Sequence, residues 1–177
     1  NLGIESLKNS STLFSKSPNP RIIGEAAKVL NQGGLLIFPT DTVYGLGCLS
    51  NNQKALKRFA KIKDIKIEQA PLSFLFQDIR ELTQYVKHMN STTFKLVKKL
   101  LPGPYALIMN AAPKLPKPFH KRKTIGVRIS SHVVLEQLLP LLDSPLITSS
   151  LHDPDEILDY TTDPEILFEE LESRVDL

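Results

Sequence analysis

Leu35-Leu36-Ile37-Phe38-Pro39-Thr40-Asp41-Thr42-Val43-Tyr44-Gly45-Leu46-Gly47 is the stretch that decides the fold class. Its first four residues form a continuous apolar run that Pro39 stops. That is the pattern of a strand buried on both faces, so helices are expected on both sides of its sheet. Thr40, Asp41 and Thr42 then gather two hydroxyls and a carboxylate at the strand's C-terminal end, where open α/β sheets bind ligands. Gly45 and Gly47 allow close backbone approach there. An ordinary turn with an Asx hydrogen bond has the same short pattern. The stretch is neither a GxxxxGK[ST] nor a GxGxxG loop, so neither common nucleotide motif applies.

Working outward, Ile22, Ile23, Ala26, Ala27, Val29 and Leu30 make one apolar stripe of a helix that begins at Pro20 and ends at Gly33-Gly34 in left-handed geometry. Residues 53 to 62 place Ala55, Leu56, Phe59 and Ala60 on one helical face and Lys54, Lys57, Arg58 and Lys61 toward water. Leu72 to Phe76 reads as a strand, with Asp78 as N-cap of a helix to Val86 and Ser91 as cap of another to Leu101. Pro102-Gly103-Pro104 turns into an apolar strand from Tyr105 to Met109. After a Pro/Lys loop from Ala112 to Lys123, Thr124 to Ile129 alternates as a strand that carries Arg128. Ser131 is expected to cap a helix through Leu139, and Pro145-Leu146-Ile147 starts another buried strand. Strands and helices interleaved in this way predict one α/β domain, of three layers or with a twisted mixed sheet.

The length of 177 residues favours a single domain, and 41% hydrophobic with 23% charged residues suffices for a core. No apolar run is long enough to span a membrane, and the first residues lack a basic-then-apolar signal, so a cytoplasmic protein with no membrane partner is expected. The chain begins at Asn1 rather than Met, as a piece of a longer chain or a processed one would. Residues 1 to 18, rich in Ser, Asn and Lys, read as a mobile arm, leaving 19 to 177 as the domain. Cys48 stands alone, which excludes an intramolecular disulfide and a CxxC pair, and it reads as a small buried filler. His88, His120, His132 and His152 show no paired spacing, so no metal site and no catalytic triad are expected.

Residues 1 to 151 hold 21 Lys and Arg against 9 Asp and Glu, a net charge of +12, while residues 152 to 177 hold 1 against 10. A basic body suits an anionic partner, nucleotide phosphate or nucleic acid, and also suits an ordinary solvated surface. Lys121-Arg122-Lys123 is the densest basic run, a phosphate or RNA contact or a solvated loop. Lys95, Lys98 and Lys99 read as the outer face of their helix. Arg128 either meets a carboxylate or phosphate or lies on a solvated face. Tyr44 stacks on a ligand or packs in the core.

The run from Leu36 to Cys48 resembles the signature of the YrdC/YciO family, whose members include threonylcarbamoyl-adenylate synthases. Lys61-Ile62-Lys63 before Pro71-Leu72-Ser73, then Leu101 to Pro104, Thr124 to Ile129 and Pro145 to Ser150 follow in that family's order. The resemblance implies a twisted open mixed sheet flanked by helices, with a large basic cavity. It also implies condensation of L-threonine, bicarbonate and ATP, with Mg²⁺ accompanying ATP and no tightly bound cofactor, to give threonylcarbamoyl-AMP and pyrophosphate for tRNA modification at adenosine 37. It assigns Thr40, Tyr44, Arg128 and Ser150 to substrate and Lys63, Thr148, Ser150 and His152 to ATP phosphate, and names no catalytic base. Two positions depart from the synthases: Ile65 stands where an Arg is expected, and His152 replaces an Asn. Both look like the YciO branch. The alternatives are a non-catalytic module that binds tRNA or double-stranded RNA through Lys121, Arg122 and Lys123, and a paralogue with another acceptor. The family pattern also continues past Leu177 with further strand.

Overall fold

The computed structural model describes residues 18–41, 44–150 and 175–176, with only the backbone at Ser150. The Asn19 side chain accepts from the Arg21 N–H and Pro20 sits at the first helical position, which starts α1 (Pro20–Asn31). Gly33, at φ 89°, turns the chain out of it. The elements that follow are β1 (Leu36–Phe38), β2 (Gly45–Leu49), α2 (Gln53–Ile62), β3 (Ser73–Leu75), α3 (Ile79–Tyr85), α4 (Ser91–Leu100), β4 (Leu107–Asn110), β5 (Thr124–Arg128), α5 (Val133–Leu138) and β6 (Leu146–Ser150).

The strands form one sheet in the order β1-β2-β6-β3-β5-β4. Only the β3–β5 pairing is parallel; β1–β2, β2–β6, β3–β6 and β4–β5 are antiparallel. Each face has its own core, as the buried run at Leu35 to Phe38 led us to expect. On one face Leu46, Cys48, Phe74, Val127 and Ile147 pack under α2, α3 and α4. On the other, Leu36, Phe38, Leu49, Leu75 and Leu146 pack under α1 and α5.

Three local readings are corrected. Asn90, not Ser91, caps α4, its side chain accepting from the Thr93 N–H at 2.8 Å. His132, not Ser131, caps α5, its Nδ1 accepting from the Val134 N–H. In both cases a side-chain acceptor one residue removed has the extended backbone that a cap requires. The strand expected from Tyr105 begins at Leu107 and is half-exposed because it lies at the sheet edge. The sequence reading also passed over β2, since glycines are poor strand formers.

At the other edge, the Asp176 N–H donates to the Leu35 carbonyl, and Asp176 Oδ2 accepts from the Leu35 N–H at 2.8 Å and from Arg58 Nη1 at 2.7 Å. The chain at 175–176 is thereby fastened beside the start of β1. Residues 1–17 and 151–174, with the arm and His152, lie outside the described residues.

α2 ends in a Schellman turn. Ile65 N–H donates to Ala60 O at 3.0 Å, and Asp64 N–H reaches back to Lys61 O with Asp64 at φ 49°. A non-glycine residue there costs about 1–2 kcal/mol, and glycine would give back about 0.4–1 kcal/mol in unfolded-chain entropy. Asp64→Gly is therefore expected to raise stability by about 0.5–1 kcal/mol in urea unfolding.

Candidate functional site

Strand register places Gly47 opposite Thr148, Thr148 opposite Ser73, and Ser73 opposite Gly126. Directly paired residues share a face, so these four make a row of small and hydroxyl-bearing positions across four strands. The row beside it on the same face is Leu49, Leu146, Leu75 and Arg128. Its leucines lie beneath α1 and α5, and no member of the small row belongs to that apolar cluster. Ser150 pairs with Gly45 one step further along. Thr148, Arg128 and the Ser150 backbone are thus brought to one face of the sheet.

The glycines of the signature serve this face differently from the expected approach of a ligand. A Cβ at Gly47 would stand 2.6 Å from Phe38 Cε1, and one at Gly45 would stand 2.9 Å from Thr148 Oγ1 and 3.2 Å from Phe38 Cε2. The Phe38 ring therefore lies against β2 in the space that side chains at 45 and 47 would take.

The loop after β1 is tied to the loop after β5. Asp41 Oδ1 accepts from the Ser131 hydroxyl at 2.9 Å and from the Ser131 N–H at 3.2 Å. β1 and β5 stand four positions apart in the sheet, ~19 Å at the usual strand spacing, so the two loops run toward each other over the sheet. α5 follows directly from Ser131–His132 and packs on the face of the small row, which puts this clasp on the same side. Asp41 Oδ2 is buried and has no hydrogen-bond partner among the described residues. Thr40, half-buried, leads into the clasp. Since β1 and β6 end where β2, β3 and β5 begin, the sheet has no common carboxyl edge; the clasp rather than such an edge frames the site.

Lys63 is the C-cap of α2, and burial pushes its pKa below the usual lysine value. Ile65, two residues on, is half-buried and packs against the first core cluster. Tyr44 packs against that same cluster, while its neighbour Gly45 pairs with Ser150. Thr40, Tyr44, Lys63 and Arg128 each already have an interaction partner within the chain. Lys121 and Lys123 are exposed before β5. Arg122 between them is half-buried: its Nη2 donates to Ile67 O and Ala70 O, both at 2.7 Å, and its guanidinium lies 5.5 Å from the Phe119 ring. It pins the loop that runs from Lys63 to β3. Cys48 is buried, and burial drives its thiol up to about 12, only partly countered by Arg58, so it is inert at neutral pH.

Sequence reasoning missed Ser73 and Ser131. Ser73 was visible only as the last residue of Pro71-Leu72-Ser73, and Ser131 was spent on a cap that His132 provides. Among the described residues no group of three His, Cys, Asp or Glu could hold a metal ion, and no helix is long and apolar enough to cross a membrane.

The family model described as "Telomere recombination", covering Sua5, YciO and YrdC, matches residues 28–177. An uncharacterised Haemophilus influenzae protein is 34% identical over 93% of this chain and 80% of its own length. Escherichia coli YciO is 32% identical over 91% of this chain and 78% of its own, and its crystal structure superposes with a TM-score of 0.79. More distant is the threonylcarbamoyl-AMP synthase of Halorhodospira halophila, 28% identical over 74% of this chain and 69% of that protein. The crystal structure of P. abyssi Sua5 complexed with L-threonine matches with a TM-score of 0.69 and 27% identity, over 76% of this chain and 39% of that one.

The packing at β2 has a direct test. Gly47→Ala forces a methyl group into the Phe38 ring, and overpacking of this kind costs about 1–3 kcal/mol. The expected result is a drop of that size in urea unfolding, largely recovered in the double variant with Phe38→Leu.

Proposed function

Since the chain belongs to the Sua5, YciO and YrdC family, we propose that it condenses an amino acid, in the first instance L-threonine, with bicarbonate and ATP on the face bearing the small row, and that the implied basic cavity is the space over that row. The amine nitrogen takes the carbon of bicarbonate with loss of water. A carbamate oxygen then attacks the α-phosphorus of ATP, and pyrophosphate leaves. Mg²⁺ enters with ATP as part of the substrate.

The observation that carries this reading is Asp41. One carboxylate oxygen is committed to Ser131, and the other is buried with no partner among the described residues. A buried carboxylate oxygen costs free energy until it accepts a hydrogen bond, and an amine N–H satisfies it with a charge-assisted one. Thr40 beside it then orients the amino acid and Arg128 meets the amino acid's carboxylate, while Tyr44, packed against the core of the opposite face, holds the end of the loop. Thr148, Ser150, His152 and Lys63 hold the phosphates. Pyrophosphate needs cations as it leaves, and Lys63, partly stripped of water, gains most from meeting one.

The sign of the pH dependence follows from Lys63. In the unliganded protein burial favours its neutral form, so it loses its proton at a lower pH than an ordinary lysine. Bound polyphosphate favours the ammonium, so binding takes up a proton once the pH exceeds the lowered pKa. ATP affinity is therefore expected to be flat below that pKa and to fall as pH rises through it. Lys63→Arg, charged throughout, should abolish the fall, and Lys63→Ala should weaken ATP at least tenfold at neutral pH.

Ile65→Arg restores the donor fork that the synthases carry and is expected to tighten ATP several-fold. The reaction itself is checked by pyrophosphate release with and without L-threonine and bicarbonate. Release that requires both and is lost in Asp41→Asn supports the reading. No release, with L-threonine or with other amino acids supplied, removes it.

A further inference from the structure

The outer side of β4 carries a groove that the proposed reaction does not use. It has a volume of about 480 Å³, lies between β4 and α4, and is lined by Leu96, Leu100, Ile108 and Met89, with Lys87 and His88 among the polar lining residues. Ile108, on the face that carries Gly126, is 74% exposed, and Leu96 of α4, over the opposite face, is 55% exposed, so large aliphatic side chains flank this edge on both faces.

The backbone along this groove is set up to pair. Asn110 O accepts from Lys87 N–H and Ala112 N–H donates to Tyr85 O, both on the outer side, while Ala111 N–H donates inward to Lys123 O. Alternation along an antiparallel strand therefore turns the N–H and C=O of Ile108 outward. β4 is the last strand of the sheet, and beyond the bridge of Val86 to Ala111 no described strand lies on its outer side. Proteins usually cover or charge such an edge, and this one presents isoleucine.

Charge selects the occupant. From Leu82 to Leu135 the chain has 54 residues with ten Lys and Arg and not one Asp or Glu, and this stretch supplies α4, β4 and β5. A second copy would bring the same cations to the same edge and repel it. Nucleic acid fits poorly, because no Phe, Tyr or Trp lines the groove to stack a base, and the outward carbonyl of Ile108 would face phosphate. We propose that this groove binds an extended acidic segment of a partner protein, with apolar residues at alternate positions, as a seventh strand on β4. Main-chain hydrogen bonds to Ile108 hold it, its alternate apolar side chains lie on the α4 face against Leu96 and Leu100, and its carboxylates meet the surrounding lysines.

The test uses the full chain and a fluorescent synthetic peptide in which glutamate alternates with valine and isoleucine, read by anisotropy. Ile108→Pro removes the outward N–H at an edge position, where proline leaves the β4–β5 pairing intact. Leu96→Asp places a like charge on the exposed helix face and keeps the test open if the proline variant does not fold. Both are expected to weaken the peptide at least tenfold, as is replacing its glutamates by lysines, while Ile108→Val binds as the parent does. Equal binding by parent and both variants overturns the proposal. So does a short double-stranded RNA that binds tighter with the same sensitivity to these substitutions, or a concentration-dependent dimer of the chain alone that Ile108→Pro abolishes.

Discussion

The Phe38 ring lies against the bare backbone of β2, and the rest of the site follows from that contact. Because positions 45 and 47 carry no Cβ, the ring packs where two side chains would stand, and Thr148 Oγ1 comes close to Gly45. β1 and β2 are drawn into one antiparallel pair whose second neighbour is β6. That pairing puts Thr148 and the Ser150 backbone beside the loop that leaves Phe38. A bulky residue at either glycine would move the strand end and the Pro39–Asp41 loop together.

The clasp between Asp41 and Ser131 builds on this. A single carboxylate holds two loops from strands four positions apart, and it does so with one oxygen. The second oxygen is where stability and function part company: left buried it is unfavourable for folding alone, and it becomes favourable when a donor arrives. The same trade is visible at Lys63, whose ammonium is partly desolvated at the end of α2. Ile65 shows the opposite choice. That position contributes packing against the first core and carries no charge.

Most of the fold was legible in the sequence because its signals are local. The stripe from Ile22 to Leu30, the cap at Asp78 and the apolar run at Leu35 depend on neighbours within a few residues. β2 was not legible, since Gly-Leu-Gly-Cys-Leu acquires its strand from Phe38 and β6 rather than from its own propensity. The site was half legible: Thr40, Lys63, Arg128 and Thr148 could be named, and three of the four small-row positions could not be joined because register alone puts Ser73 beside Thr148 and Gly126. Arg122 stood out as a phosphate ligand by composition, yet its carbonyl partners at 67 and 70 lie more than fifty residues away in the chain.

The central claim is that the small row and the clasp above it form the substrate face. The most direct measurement is an amide NMR titration of the full chain with L-threonine and then with ATP and Mg²⁺. The account expects the largest shifts at Asp41, Gly47, Ser73, Gly126, Ser131 and Thr148, with Leu96 and Leu100 unmoved. Shifts confined to Lys121 and Lys123, or none at saturating ATP, would contradict it.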